Sequence, residues 1–383
     1  MKYERPIPVL LTVPHLNRTA SPYREMMSIL NLLPRSEFRL TVCALRDGGF
    51  AETAPVLKDL GIDCFVARFR PTGRSILAFR DSWRDQSIID GRGPFAIQHS
   101  LDFTSSPFEA LMSRLRSRAY VCSQRNLNQN GHSVLFRIKM SLCRRVIAIS
   151  DAVQRFLLDR GVPLRKIDKI HLGIEVTYLS VERQRGYFLC VGQIEPLKRQ
   201  HEAIRALSAV AQDFPEARLG IAGNVFDPEY MRSLQQLAGE LGVADRVEFL
   251  GPRSDILHLM AKANGLIHCS ESEAFGWVVL EAMSVGTPVI AAASEGPREI
   301  VEDGRTGILK NCGDVPGFAE GMRALIANLS LAERFSSEGR REVARRFSPA
   351  AMVDRIRKVY LECLGEEASP RALAAEASRN VQC

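Results

Sequence analysis

The chain reads as two α/β domains, each built on a doubly wound parallel sheet. Three observations predict this. Short apolar runs rich in Val, Ile and Leu alternate with segments of helical period, and the alternation happens twice, from Pro8 and again from Tyr187. At 383 residues the chain exceeds what one ordinary core organises. A polar stretch over residues 177–186 (TYLSVERQRG) separates the two series and reads as a linker. The expected boundaries are 1–178 and 187–348 for the domains, 349–365 for a final helix, and 366–383 for an Ala/Ser/Glu-rich, weakly ordered tail.

In chain order, Pro8–Val13 is a buried-strand pattern, and a glycine-free turn of residues 15–22 follows it. A helix over 23–33 and a second strand at 39–45 complete a β-α-β opening. A third strand is expected at 63–67. The charged segment 68–94 contains a helical stretch (GRSILAFRDSWRDQSIID), and the next strand, 95–99, ends on His99. The strand from Tyr120 runs into Gln124-Arg125-Asn126 at its carboxyl end, where open α/β sheets place their ligands. Residues 133–145 (SVLFRIKMSLCRR) combine apolar residues at helical spacing with Arg137, Lys139, Arg144 and Arg145. This is an amphipathic basic helix, suited either to packing on the sheet or to touching anionic lipid.

The second series opens with the strand Tyr187–Gly192 and a loop carrying Gln193 and Lys198, then a helix over 199–212. Strands at 218–223 and 247–251 follow, the second running into Pro252-Arg253. Residues 313–347 are expected to be helical.

Composition narrows the function. At 46% apolar and 25% charged the chain is globular, and it contains no run of 18 apolar residues. Its first residues (MKYERPIPVLLTVPHLN) lack the length and cleavage site of a signal peptide. Nine scattered cysteines, with no C-x-x-C pair, read as buried reduced thiols of a cytoplasmic protein rather than zinc ligands. Residues 1–178 carry 27 Lys and Arg against 16 Asp and Glu, and the remainder carries 24 against 28. So basic a first half suggests an anionic partner: a membrane surface, a lipid-phosphate-linked glycan or an acidic polysaccharide. A solvated Arg-rich surface is the plainer alternative. With no G-x-G-x-x-G after the first strand and no aromatic-interleaved basic platform, dehydrogenase and nucleic-acid-binding readings fail.

The most informative stretch is residues 269–300, CSESEAFGWVVLEAMSVGTPVIAAASEGPREI. An apolar run (Gly265-Leu-Ile-His-Cys269) ends in a turn bearing Glu273. Phe275-Gly276 opens a helix carrying Glu281, and Gly286-Thr-Pro ends that helix before a β-branched strand. A helix start preceded by small residues offers backbone N–H groups and a positive dipole end, which suits a phosphate. Carboxylates beside it accept hydrogen bonds from sugar hydroxyls. Together they suggest a nucleotide-sugar site.

This block resembles the donor-site signature of retaining GT-B glycosyltransferases (glycosyltransferase family 4): E-x-F-G-x-x-x-x-E-A-M, then G-x-P-V-I, then a glycine and E-I-V. All are present, through Gly296 and Glu299-Ile300-Val301. The resemblance covers residues 187–345 in detail and the first domain in outline. It implies two Rossmann-like domains facing a central cleft, the N-terminal one binding the acceptor and the C-terminal one the donor. The last helix would return to the first domain.

The reaction implied is metal-independent, retaining transfer from a nucleotide-sugar to a glycan or lipid-linked acceptor, with no cofactor. By this resemblance Glu281 meets the ribose and Glu273 the transferred sugar. The Phe275 and Gly276 amides with Lys198 stabilise the departing diphosphate, and Gly251 and Arg253 lie beside the base. The family usually has an arginine where Gln193 stands, which leaves Arg199 or Arg125 as candidates to replace its charge. His99 and Asn126 fall on the acceptor side. Two alternatives stay open, a catalytically silent homologue acting as a binding subunit and a sugar-nucleotide epimerase. Cell-envelope or exopolysaccharide synthesis in the cytoplasm, peripheral to the inner membrane face, is the expected setting.

Overall fold

Near-continuous apolar strands need a sheet covered on both faces, which parallel strands with crossover helices provide. The structure, a computed structural model, describes residues 6–18, 20–67, 85–101, 106–127 and 134–365. Of the charged segment expected to be partly helical, residues 85–90 are helical, and 68–84 lie outside the described residues, as does the tail 366–383.

Among the described residues, those up to 149, 153–171 and 349–365 form one unit, and 150–152 with 172–348 form the other. The described residues of the first unit hold seven strands: β1 (Ile7–Val13), β2 (Phe38–Ala44), β3 (Asp63–Val66), β4 (Ile97–Ser100), β5 (Ala119–Gln124), β6 (Arg145–Ala148) and β7 (Ile167–Lys169). They pair in parallel in the order β3-β2-β1-β4-β5-β6-β7, so the chain reverses its direction of winding between β1 and β4. The last helix, Pro349–Cys363, belongs to this unit. Arg357 donates to both carboxylate oxygens of Glu37 at 2.7 and 2.9 Å, and the Tyr360 hydroxyl is 2.7 Å from His99 Nδ1.

The second unit has six parallel strands: β8 (Gln184–Val191), β9 (Arg218–Ala222), β10 (Val247–Gly251), β11 (Ala263–His268), β12 (Val289–Ala292) and β13 (Ile308–Lys310). Their order is β10-β9-β8-β11-β12-β13, with the reversal between β8 and β11. Every residue of β11 and β12 is buried. Phe188, Leu219, Ile221 and Ile267 from the strands meet Ala203, Leu207, Phe318 and Met322 from helices in one core.

Two expectations need correction. Residues 313–347 form two helices, Val315–Ala327 and Leu329–Arg346. The break is at Asn328, whose backbone is extended and whose side chain accepts from the Leu331 amide, capping the second helix. The basic helix ends at Leu142, and its charges do not share one face. Lys139 is buried, Arg145 opens strand β6 bound to Asp168 and Glu362, and the exposed face is Val134, Leu135, Arg137 and Ile138.

Candidate functional site

The winding reversal decides where a ligand site can form. At the carboxyl ends of two adjacent strands whose crossovers leave in opposite directions, the loops part and leave a crevice. In the second unit those strands are β8 and β11, and their following loops carry Gln193–Arg199 and Cys269–Gly276. Lys198 ends a 3-10 turn (Pro196–Lys198) in the first loop, and Glu273 sits in the second. Lys198 Nζ lies 2.8 Å from Glu273 Oε2, with side chains 23% and 22% exposed. His268, buried at the last position of β11, places Nε2 3.7 Å from the same oxygen. Burial works against the ionised Glu273. The nearby His268 imidazole and the Lys198 charge, with its hydrogen bond, outweigh it and hold the carboxyl down at about 2. Glu273 therefore stays a carboxylate, an acceptor only, across the physiological range.

Glycines set the loop geometry. The Gly223 amide donates to the Gly251 carbonyl at 2.9 Å and the Gly192 amide to Ala222 at 3.0 Å, stitching together the ends of β8, β9 and β10. A Cβ on Gly223 would stand 1.8 Å from the Gly192 oxygen, so no other residue permits this approach. On the other side of the crevice the Gly296 amide donates to the Glu273 carbonyl at 2.8 Å, and a Cβ there would come within 2.4 Å of Phe275 backbone. The short helix Glu295–Ile300 thus braces the loop bearing Glu273. Phe275 buries its ring against Phe347, at 6.2 Å between centroids. Gly276, at φ 93°, then caps the helix Trp277–Ser284. That helix directs its first-turn N–H groups and dipole to the crevice end of the sheet.

This constellation of strand, turn, acidic loop and helix start coincides with a known family. Residues 180–342 match the family described as Glycosyl transferases group 1. That segment is similar to the group 1 glycosyl transferases. The chain is 31% identical over 179 residues to the lipopolysaccharide core biosynthesis glycosyltransferase LpsE of Rhizobium meliloti, a match over 47% of this chain and 49% of the relative. It spans about half the length of the curated relatives it matches. Among solved structures, Anabaena Alr3699/HepE in complex with UDP superposes with a TM-score of 0.78 at 21% identity, over 92% of this chain and 99% of that one. The same protein with UDP-glucose gives 0.75 at 22% identity, over 92% and 98%. The fold is GT-B.

The other expected residues of the glycosyl transferase segment fall around the crevice with different degrees of access. Glu281 is 4% exposed, one turn inside its helix. Gln193 is exposed and uses its carbonyl to accept from Gln200 Nε2 at 2.7 Å. Arg253, past the end of β10, is exposed and clasps Asp255 at 2.7 and 2.8 Å. Arg199, in a left-handed conformation at φ 51°, binds the buried Glu202 and reaches Glu271 at 3.3 Å. Its charge is already matched, which weighs against it as a substitute for the arginine missing at position 193.

In the first unit the expected residues are engaged internally. Arg125 is buried and bound to Glu25 and to Ser21 Oγ at 3.0 Å, so its guanidinium is not held out for a diphosphate. His99 is fully buried between Ser123 Oγ (2.9 Å) and Tyr360, and burial, with Arg125 nearby, pushes its pKa down to about 3. It is a neutral structural imidazole. Asn126 is half-buried, its side-chain and backbone oxygens accepting from Gln124 Nε2 at 3.0 and 2.8 Å.

Sequence reasoning missed His268 as the second partner of Glu273. Its signal was a histidine closing an apolar strand directly before the acidic turn. It also missed Glu25, whose place in an amphipathic helix gave no hint of a partner 100 residues later.

Proposed function

We propose that this protein is a metal-independent, retaining glycosyltransferase. It transfers a sugar from a nucleotide-sugar, most simply a UDP-sugar, to a glycan or lipid-linked acceptor of the cell envelope or of exopolysaccharide. The observation that carries the reading is the Lys198–Glu273 pair, part-exposed at the winding reversal of the second sheet beside the helix that starts after Gly276. Support comes from HepE, solved with UDP and UDP-glucose, and from LpsE, named for lipopolysaccharide core synthesis.

In this mechanism Glu281 accepts from the ribose hydroxyls and Glu273 from hydroxyls of the transferred sugar. Lys198 exchanges part of its contact with Glu273 for the diphosphate and, with the Phe275 and Gly276 amides, stabilises charge as the bond to the sugar breaks. Preorganised cations and amides aimed at a developing anion are the strongest single contribution available without a metal. The acceptor attacks the face the diphosphate leaves, through an oxocarbenium-like state. The first unit supplies acceptor contacts near Asn126, while Arg125 and His99 hold that region in shape. The exposed Val134, Leu135 and Ile138, next to Arg137, suit peripheral contact with an anionic membrane. Among the described residues no helix is long and apolar enough to cross one.

The test is a thermal-shift screen with UDP, GDP, ADP and their common sugar derivatives, with and without EDTA. A ligand at 100 times its Kd adds roughly 2.7 kcal/mol of stability. The expected result is an EDTA-insensitive shift with one nucleotide family, lost in Glu281→Ala. No shift with any nucleotide would favour a silent homologue.

A further inference from the structure

The excess of basic residues in the first half of the chain is not spread evenly. Six of its members line a pocket of about 990 Å³ formed by residues of the first unit. Ala96 just before β4, Ala119 at the start of β5, Arg145 at the start of β6 and Lys166 just before β7 all line it. The pocket therefore lies at the amino ends of these strands, the edge of the sheet opposite to His99 and Gln124–Asn126. Its cations are Arg114, Arg118, Arg144, Arg145, Arg165 and Lys166, against one carboxylate, Glu362.

The local acids leave much of this charge unmatched. Glu362 and Asp168 both serve Arg145. Asp90 serves Arg116 and Arg118. Among the described residues Arg114, Arg144 and Arg165 have no carboxylate partner, and Lys166 Nζ meets only the Ser141 carbonyl, at 2.8 Å. Arg118 lines the same pocket with its guanidinium buried, held by Asp90 at 2.6 Å and lying 5.4 Å from the Phe95 ring centroid. Guanidinium forks match phosphate oxygens in pairs, which a simple halide or a carboxyl-free sugar does not provide. The volume exceeds that of one phosphate and fits a ligand with several groups.

We propose that this pocket binds a ligand carrying two or more phosphate groups, separate from the donor site. Two sources share that chemistry, a soluble phosphorylated metabolite or glycan and the headgroup of an anionic lipid. The site does not depend on the glycosyl-transfer reading.

The experiment uses the full chain and inorganic pyrophosphate, measured by titration calorimetry at low and moderate salt. The test variant is the triple reversal Arg114→Glu, Arg144→Glu and Arg165→Glu, three exposed side chains whose replacement leaves the core intact. The control, Arg232→Glu, Lys262→Glu and Arg341→Glu, makes the same charge change on exposed positions of the other unit. Lys198→Ala separates this pocket from the proposed donor site. Pyrophosphate affinity is expected to fall at least about tenfold in the test triple, as loss of charge-assisted bonds implies. It should stay within about twofold in the control, and the binding event that the test triple removes should persist in Lys198→Ala.

Co-sedimentation with vesicles of phosphatidylcholine, with and without cardiolipin, whose headgroup carries two phosphates, then distinguishes the sources. Cardiolipin-dependent binding lost only in the test triple identifies a lipid headgroup. Pyrophosphate binding without sedimentation identifies a soluble ligand. Absent pyrophosphate binding, equal loss in the control, or loss confined to Lys198→Ala would overturn the proposal.

Discussion

The two sheets use the same chemistry to opposite ends. Each brings an ionised carboxylate against a cation near a winding reversal or the helix beside it. In the first unit the pairs are sealed: Arg125 with Glu25 has side chains 5% and 2% exposed, and Arg357 with Glu37 has 4% and 5%. In the second unit Lys198 and Glu273 keep 23% and 22% open. A sealed pair can only hold structure, since losing one partner strands the other charge away from water. A part-open pair can exchange its partner for a ligand. Exposure, rather than the presence of an ion pair, separates scaffold from site here.

The largest effect should come from breaking a sealed pair. Arg357→Ala strands Glu37 and should destabilise the protein by about 3–5 kcal/mol in denaturant unfolding, the usual cost of an orphaned buried charge. A cost below about 1 kcal/mol would mean that the pair is wetter than its burial indicates.

Acid titration should show the contrast as two windows. His99 has a depressed pKa, so the unfolded chain binds its proton first and stability falls as pH drops from about 6.5 towards 3. Glu273 is also depressed, to about 2, and its contribution is present above the ordinary carboxylate range and lost as pH falls through about 2. Stability curves of His99→Gln should lose slope in the upper window, and those of Glu273→Gln only in the lower one. Matching curves would dissolve the distinction between the two regions.

The smallest effect belongs to Arg253→Ala. Its pair with Asp255 is exposed on both sides, and denaturant unfolding should show no resolvable change in stability. Any larger loss on nucleotide binding, read by calorimetry, would give Arg253 a ligand contact of its own.

What the sequence revealed follows the same division. Strand and helix alternation is a local, periodic signal, and both parallel sheets were legible from it. The loop of Glu273, the capping Gly276 and the bracing Gly296 lie within 24 residues of one another, and it was the resemblance of that block to a donor-site signature that linked them. The sealed partners were not legible. Glu25 meets Arg125 across 100 residues and Glu37 meets Arg357 across 320, and no local pattern encodes such contacts. Lys139 looked like part of a solvated basic face, yet tertiary packing buried it. The amino-edge pocket gathers arginines from segments before β5, at β6 and before β7, so only the folded sheet makes them one feature.

The most direct test of the central claim is steady-state kinetics of Lys198→Ala, with the donor nucleotide identified by thermal shift. The account predicts turnover lower by about 100-fold or more, as loss of one preorganised donor to a developing anion produces, with the melting temperature nearly unchanged. If Lys198→Ala instead raises only the KM for the donor and leaves kcat intact, Lys198 binds the nucleotide without stabilising its departure, and the proposed mechanism is wrong.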